Sequence, residues 1–311
     1  MNGKSLVKKL FSAFGLELKR KSHRNSDRMY LSDPREAFIE PNQGGAHRFR
    51  AEVSLAVDHQ GFSFSPDGWH PFVSSIRNSK SDLGKIKCHL RRYYANFQPK
   101  SASDAIIGFH FAPKIFRELP PHMFYLAPWA FCTPQSVDAA VSHFVRKENL
   151  ENNADLTLAD GGFPTYGPVS EEKLDVEAGR LVRVTRSLQK NGYLKSRGTC
   201  NFRVLKAGRE IRLVIDGGGY HRLSAAAALS LECVPGDFFP HRAIIDVDDV
   251  DLWPNVRSGL WLRHEAVKYV EHLFGHDSAA WAMENGLLPI KFEQNANDLA
   301  EKELRSHYGI R

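Results

Sequence analysis

The sequence lacks the features that mark secreted or membrane-spanning proteins. Its 311 residues contain four cysteines, whose wide spacings match neither a zinc pattern nor a disulfide framework. No run of eighteen apolar residues occurs, so we predict no transmembrane helix. No uninterrupted apolar region with a small-residue cleavage site follows the basic N-terminus, as a secretory signal would require. We therefore expect a cytoplasmic globular protein with reduced thiols.

An excess of positive charge is also missing from most of the chain. The net charge is +6, and residues 1–28 supply all of it with eight Lys and Arg against two acidic residues. Residues 160–275 hold sixteen basic and fifteen acidic residues and are nearly neutral. Because DNA-binding domains usually present a basic face, we do not favour DNA as a partner.

The basic N-terminal segment, residues 1–21, has an amphipathic pattern. Its apolar side chains recur at helical spacing, with lysines on the opposite side. Such a helix can lie at an anionic membrane surface, which would make the protein peripheral at the inner membrane face. The alternative is a helix that packs on the protein's own surface. The polar residues that follow, 19–48, indicate a linker.

The remaining pattern divides the chain into domains. We predict a mixed α/β domain over 49–155, a second domain over 156–275 and a helical extension over 276–311, after the tail and linker of 1–48. In the first domain, residues 49–57 and 62–69 indicate strands, and 81–97 and 134–150 indicate helices. In the second, helices over 170–193, 223–231 and 262–275 alternate with strands over 201–216 and 243–253. This order is typical of an α+β or an α/β unit, and the fold class that we predict is α+β.

Three consecutive glycines, Gly217, Gly218 and Gly219, separate a predicted strand from a predicted helix in IRLVIDGGGYHRLSAAAAL, residues 211–229. The first N–H groups of a helix have no intrahelical acceptor and attract anions, and glycine lets the backbone approach a phosphate closely. His221 and Arg222 would add donors at the same place. A helix that begins with two basic side chains opposes its own dipole, so we expect an anion there.

The junction lacks the Gly-Lys-Ser/Thr of a Walker loop and the G-x-G-x-x-G of a dinucleotide site. From the residues alone, a tight turn with Arg222 paired to a nearby acid is an open alternative.

The segment VIDGGGYHRLSAAAAL resembles the signature of the ParB/sulfiredoxin superfamily. RSLQKNGYLKS (186–196) and LECVPGDFF (231–239) resemble the flanking segments, so the similarity covers about 160–250 and weakens towards 275. The resemblance implies a ParB/sulfiredoxin-like C-terminal domain, preceded by a smaller mixed α/β domain, whose Gly/His/Arg junction binds nucleotide phosphates.

Individual residues match the superfamily to different degrees. Gly218 and Gly219 match the glycine pair of sulfiredoxin, and His221 and Arg222 match its His-Arg. Tyr220 stands where sulfiredoxin has its reactive cysteine, which argues against that chemistry. Kinase-type members use an acid from the first helical region, which Glu177 resembles. Asp216 is displaced from the acidic position of the signature by the extra glycines.

The function that we expect is nucleotide binding, with ATP-dependent phosphoryl transfer to a small hydroxylated substrate. A link to envelope polysaccharide assembly is conceivable. The predicted phosphate-binding residues are Gly217, Gly218, Gly219, Tyr220, His221 and Arg222. Glu177, Asp216 and His221 are the catalytic candidates, with Glu177 or Asp216 as base or Mg²⁺ ligand. The plainer interpretation of either acid is a salt bridge or a helix cap.

Two alternatives stay open at this point. One is a ParB-like, DNA-associated CTP-binding protein or nuclease. The other is a non-catalytic module that binds a phosphosugar or nucleotide.

Two further patterns carry less information. His272 and His276 lie four residues apart, but they lack a third ligand, so we predict no metal site. The acidic run 246–251 lacks the glycine and the closing glutamate of an EF-hand, which indicates a solvated strand exit instead.

Overall fold

A computed structural model describes residues 30–38, 48–194 and 198–288. Within these residues a mixed sheet has the strand order β1-β5-β3-β4-β2, and β6 pairs with the second half of β3. The pairs β1–β5 and β3–β4 are antiparallel, whereas β2–β4, β3–β5 and β3–β6 are parallel. The strands are β1 (Phe49–Glu52), β2 (Ala56–Val57), β3 (Cys200–Ala207), β4 (Glu210–Ile215), β5 (Cys233–Phe238) and β6 (Ile244–Asp246).

Helices surround this sheet, and short 3-10 turns connect several of them. The α-helices are α1 (Pro71–Ser79), α2 (Leu83–Asn96), α3 (Ala102–Ala105), α4 (Pro134–Leu150), α5 (Leu158–Gly161), α6 (Glu171–Asn191), α7 (Tyr220–Ala228), α8 (Pro254–Arg257), α9 (Arg263–Gly275) and α10 (Ser278–Glu284). The structure combines helices with a mixed sheet, as the predicted α+β class requires. No helix in the described part of the chain is long and apolar enough to cross a bilayer.

The periodic segments form the helices predicted for them. The Ser170 side chain accepts a hydrogen bond from the Lys173 N–H and begins α6, and Gly192, at φ 63°, follows its end. Thr133 and Ser136 form a capping box that begins α4.

Helix α7 begins three residues before the predicted start at Leu223. Gly219 acts as its N-cap at φ 93°, and its carbonyl accepts from the Leu223 N–H at 2.8 Å. The helix therefore starts directly after the last glycine.

The segment 49–57 differs most from its prediction as one strand. A 3-10 turn over Val53–Leu55 divides it, so β1 pairs with β5 at one edge of the sheet while β2 pairs with β4 at the other. The four steps from Glu52 to Ala56 can span only about 13 Å of extended chain, less than the width of the five-strand sheet, so the sheet must curl until its edges approach each other. Residues 62–69 contribute only an isolated bridge between Val57 and Ser63.

Two other segments also differ from their predictions. The predicted strand over 243–253 is short, because β6 ends at Asp246 and a 3-10 helix over Val247–Leu252 follows it. The Asp246 side chain accepts from the Asp248 N–H and favours this turn. Residues 30–38, predicted as linker, pack on the sheet, where Leu31 bridges to Phe49.

The core lies on both sides of the curled sheet. The smaller apolar cluster packs α7 against β1, β3 and β5, with Phe49, Phe202, Leu223, Ala226 and Val234 at its centre. The larger cluster joins α1, α2, α6 and α9 to the sheet. Residues 49–57, placed by prediction in the first domain, thus share a sheet with strands of the second. The predicted N-terminal membrane contact and most of the C-terminal extension lie outside the described residues.

Candidate functional site

The glycine junction forms a backbone turn at the carboxyl end of β4. Gly217, Gly218 and Gly219 have φ values of 68°, 143° and 93°, a region that disfavours residues with a side chain. They lead into α7, which has no side-chain cap among the described residues. Its first N–H groups therefore face outward without an intrahelical acceptor, which is the geometry of an anion site.

The three glycines answer different demands. A Cβ on Gly217 would lie 2.4 Å from the Phe239 ring, and one on Gly219 would lie 2.6 Å from the Cys200 Cα. At Gly218 the nearest atom would be the Asn201 Nδ2, at 3.6 Å. Packing thus adds to the demand of a positive φ at Gly217 and Gly219, whereas a Cβ on Gly218 would make only an ordinary van der Waals contact, so that its φ alone requires glycine there.

The junction lies in the wall of a cleft of about 530 Å³. Helix α6 and the residues 192–194 after it also line the cleft, together with α4, Asn152, Tyr125 and the loop 163–165. Arg180, Arg183 and Arg222 place three guanidinium groups along it. The cleft therefore combines backbone donors and arginine side chains around one space.

The arginines of the cleft differ in their partners. Arg180 donates two hydrogen bonds to the Glu148 carboxylate, at 2.9 and 2.7 Å. Arg183 donates only to the neutral Asn152 side chain among the described residues. The Arg222 guanidinium donates to the Thr199 carbonyl at 2.8 Å, which holds it beside the junction. Arg183 thus brings a charge that no described carboxylate balances.

Glu177 is fully buried behind the junction, at the centre of an ionic cluster. Its Oε1 is 2.7 Å from the Lys173 Nζ and 3.6 Å from Arg180, and its Oε2 is 2.6 Å from the His221 Nε2. Burial alone would raise the pKa of Glu177, but the charges of Lys173 and Arg180, and then His221, hold it well below its usual range. Glu177 is therefore ionised.

The same contacts set the state of His221. Burial, followed by the charge of Arg180, lowers the pKa of its imidazole and favours the neutral ring. The neutral ring donates from Nε2 to Glu177, so Nδ1 carries no proton. The His221 side chain consequently ties α7 to α6, and its donor towards an anion is its backbone N–H.

Asp216 stands at the end of β4, immediately before the glycines. Both described partners of its side chain lie at Oδ2, the Arg203 Nε at 2.6 Å and the His59 Nε2 at 3.4 Å. Among the described residues, no donor or cation is paired with Oδ1. Burial would raise the pKa of Asp216, but His59 and Arg203 outweigh it and hold the value at about 2. The carboxylate is therefore ionised at neutral pH, with one oxygen free for a ligand.

The Tyr220 side chain reaches residues of the first half of the chain. Its hydroxyl donates to the Asp58 Oδ2 at 2.7 Å and lies 2.8 Å from the His70 Nε2. The side chains of Tyr220 and His221 thus leave the start of α7 in different directions, each fixed by a buried partner.

The structure offers no prearranged metal cage. No group of three or more His, Cys, Asp or Glu within the described ranges could hold a metal ion. His272 and His276 stack with ring centroids 4.4 Å apart, packed against Gly61 and Gly108. A magnesium ion at the cleft would therefore rely on Asp216 and on oxygens of the ligand, as magnesium bound with phosphates often does.

Comparison of the chain with protein-family models, with curated proteins and with solved structures gave no match. The resemblance noted from the sequence stays a prediction, and function has to be inferred from this geometry.

Every predicted site residue lies at the junction or directly behind it. Gly217–Arg222 and Asp216 line the cleft, and Glu177 touches His221 from behind. The sequence does not predict that Asp58, His59 and His70 lie at this site. The only local signal was the polar triplet Asp58–Gln60 inside an apolar stretch, and it did not indicate a partner some 160 residues away.

Proposed function

We propose that the cleft binds a nucleotide through its phosphates and that the protein transfers a phosphoryl group from ATP to a small hydroxylated substrate. The observation that carries the proposal is the glycine junction itself. Three glycines of positive φ lead into a helix that has no side-chain cap among the described residues, in the wall of an arginine-lined cleft, and Gly218 is the least crowded of the three. Backbone N–H groups in this arrangement suit phosphate oxygens.

The dimensions and lining of the cleft support a nucleotide over a bare phosphate. Its volume of about 530 Å³ lies within the range of small-molecule sites. Phe144, Val184 and Leu188 add apolar surface, and the Phe144 side chain stays 38% exposed. An exposed aromatic ring in a cleft suits the flat face of a base.

The charged residues divide the work of phosphoryl transfer, which depends mainly on positioning and charge neutralisation. Arg222 and Arg183 would neutralise the phosphates. Asp216, ionised and with Oδ1 free, would orient the substrate hydroxyl or help to hold Mg²⁺, which neutralises developing phosphate charge when it is bound. A carboxylate with a pKa of about 2 is a weak base, so we assign Asp216 to orientation rather than to proton abstraction.

Glu177 and His221 have a positioning role in this proposal. Both oxygens of Glu177 are engaged by cations or by His221, and its side chain has no exposed surface. It therefore fixes His221 and Arg180, and through them the start of α7 and one wall of the cleft.

A ligand screen tests the proposal. Thermal unfolding would be followed with ATP, ADP, GTP and CTP, with and without Mg²⁺, because a ligand that binds only the folded state raises the midpoint by an amount that grows with the logarithm of its concentration relative to Kd. We expect ATP to raise the midpoint of the parent protein. Arg222→Ala should weaken the apparent affinity about tenfold or more, as loss of a charged hydrogen bond would. Hydrolysis and transfer to added polyols would then be followed by ³¹P NMR.

Arg77→Ala is the matched control. Arg77 donates to the Ala227 carbonyl at 2.9 Å, at the far end of α7, much as Arg222 donates to Thr199 near its start. Each substitution removes one arginine and one carbonyl contact, but only Arg222 lines the cleft. Equal loss of affinity in both variants, or no effect of any nucleotide on the parent, would refute the proposal. A preference for CTP that DNA enhances would favour the ParB-like alternative.

A further inference from the structure

The Tyr220 hydroxyl connects the glycine junction to the first half of the chain through a buried hydrogen-bond chain. It donates to the Asp58 Oδ2 at 2.7 Å and lies 2.8 Å from the His70 Nε2. His70 and Asp58 are almost completely buried, and the Tyr220 ring packs edge-on against Phe64 and Phe72. The chain therefore joins the residue before α1, the turn after β2 and the first residue of α7.

The geometry fixes the direction of every hydrogen in this chain. The His70 Nδ1 accepts from the Phe72 N–H at 3.1 Å and caps α1, so Nδ1 carries no proton. Burial lowers the pKa of His70 well below its usual value and keeps the ring neutral. The single proton of the ring is therefore on Nε2 and points to the Tyr220 oxygen. The Tyr220 hydrogen is left to donate to Asp58.

Asp58 completes the chain only as a carboxylate. Its Oδ1 already accepts from the Gln60 and Phe62 N–H groups, both at 2.9 Å. A proton on Asp58 would thus bind to Oδ2, which is the acceptor of the Tyr220 hydroxyl. Either this proton or the Tyr220 hydrogen would then have no acceptor. A buried donor without an acceptor is unfavourable.

We propose that Asp58 and His70 are positioning residues that, through Tyr220, hold the glycine junction and the first turn of α7 in the conformation that binds the ligand. For the identity of that ligand the inference rests on the proposed function. The hydrogen-bond chain fixes the side chain of Tyr220, the first residue of α7, beside the glycines that line the cleft, while the ionic cluster fixes the neighbouring His221.

The surroundings of Asp58 make the hydrogen-bond chain of Tyr220, Asp58 and His70 dependent on pH. The titratable groups that face it are His59, His70 and the hydroxyls of Tyr220, Tyr93, Tyr125 and Tyr269. Burial keeps the four tyrosines protonated by raising each pKa. Burial also raises the pKa of Asp58 to about 6, although hydrogen bonds from Tyr220, Phe62 and Gln60 oppose it. The complete chain is thus present at pH 7.5 and lost near pH 5.

Hydrogen exchange on the ligand-free protein measures the position of the junction directly. Two amides report on it, because the Asn201 N–H donates to the Gly218 carbonyl at 3.0 Å and the Leu223 N–H to the Gly219 carbonyl at 2.8 Å. We expect Asp58→Asn and Tyr220→Phe each to speed exchange of these amides about tenfold at pH 7.5. The ratio of Asp58→Asn to parent should approach one at pH 5, and the double variant should differ little from either single one.

Two controls separate positioning from general destabilisation. His70→Asn keeps a capping side chain for α1 but loses the Tyr220 contact, so it should reproduce the faster exchange. Tyr94→Phe removes another buried hydroxyl, which donates to the Pro164 carbonyl at 2.8 Å outside the chain, and should leave the two amides unchanged.

An ATP titration of the same variants distinguishes this inference from the proposed function. We expect Asp58→Asn to weaken binding about tenfold at pH 7.5 and to have little effect at pH 5. Unchanged amide exchange in Asp58→Asn and Tyr220→Phe would overturn the positioning role even if ATP binds. Faster exchange in a protein that binds no nucleotide would support the positioning of the junction and refute the proposed ligand.

Discussion

Two buried polar clusters flank the start of α7, and they differ in how they balance charge. The ionic cluster of Lys173, Glu177, Arg180 and His221 surrounds one carboxylate with two cations and an imidazole. The Tyr220 chain gives the Asp58 carboxylate only neutral hydrogen-bond donors. As a result the pKa of Glu177 lies far below neutrality, whereas that of Asp58 is raised to about 6.

This difference means that one contact at the start of α7 is independent of pH near neutrality, whereas the other changes with pH. The pKa of Glu177 is held well below its usual range, so its charge and its hold on His221 do not vary near neutral pH. Asp58 changes charge close to neutrality, so its hold on Tyr220 does. The consecutive residues Tyr220 and His221 are thus held by different interactions, and the glycines that precede them line the cleft.

The largest effect is expected from Glu177→Gln. The substitution leaves Lys173 buried beside a neutral amide, and breaking a buried ion pair costs about 3–5 kcal/mol. Urea unfolding at pH 7 measures the loss of stability.

Glu148→Gln is the control for this comparison. Glu148 also binds Arg180, but its side chain keeps 20% of its surface exposed, so water can compensate part of the loss. If both variants lost the same free energy of unfolding, Glu177 would not be the centre of the ionic cluster.

The next effect is the pH dependence of stability contributed by Asp58. Its pKa is raised from 3.8 to about 6 on folding, so the folded state binds more protons than the unfolded state between these values. The stability contribution is therefore complete below pH 4 and is lost as the pH rises through 6. A difference of about two pKa units corresponds to on the order of 3 kcal/mol. Unfolding free energies of the parent and Asp58→Asn between pH 4 and 7.5 measure it.

Asp58→Asn should flatten this slope, because an amide does not titrate. Asp216→Asn is a useful contrast, since its pKa of about 2 places its titration below this pH range. Its folded pKa is depressed, so its contribution is present above pH 4 and is lost only as the pH falls towards 2. An unchanged slope in Asp58→Asn would assign the pH dependence to another group.

A smaller effect is expected from Gly219→Ala relative to Gly208→Ala. Both glycines have positive φ, at 93° and 58°, so alanine is strained at each. Only at Gly219 would the new Cβ also meet backbone, 2.6 Å from the Cys200 Cα, and overpacking of this kind costs about 1–3 kcal/mol more. Chemical unfolding of the two variants gives the difference. Equal losses would show that the junction can shift away from β3.

The parts of this architecture that depend on local pattern could be predicted. The spacing of the apolar residues and the signals at both ends predict helix α6. The three adjacent glycines predict the turn before α7. The division of 49–57 between the two edges of the sheet could not, because β1 and β2 pair with strands more than 150 residues away. The Tyr220 chain was missed for the same reason, since neither Asp58 nor His70 belongs to a recognisable motif.

Segments rich in proline were also hard to predict. Residues 113–128 form 3-10 turns over Lys114–Arg117 and Pro121–Tyr125, where neither helical nor strand periodicity can develop. Tyr125 reaches the cleft from the second of these turns. Its place in the lining depends on tertiary packing rather than on local sequence.

We propose that the backbone of the glycine junction receives the phosphates of a nucleotide. A ¹⁵N–¹H spectrum of protein labelled at glycine and tyrosine, recorded while ATP is added, observes these amides themselves. We expect saturable shifts of the Gly218, Gly219 and Tyr220 amides, and a marked weakening of the titration in Arg222→Ala but not in Arg77→Ala. If ATP saturates the protein and leaves these three amides unmoved, or does not bind at all, this role of the junction is refuted.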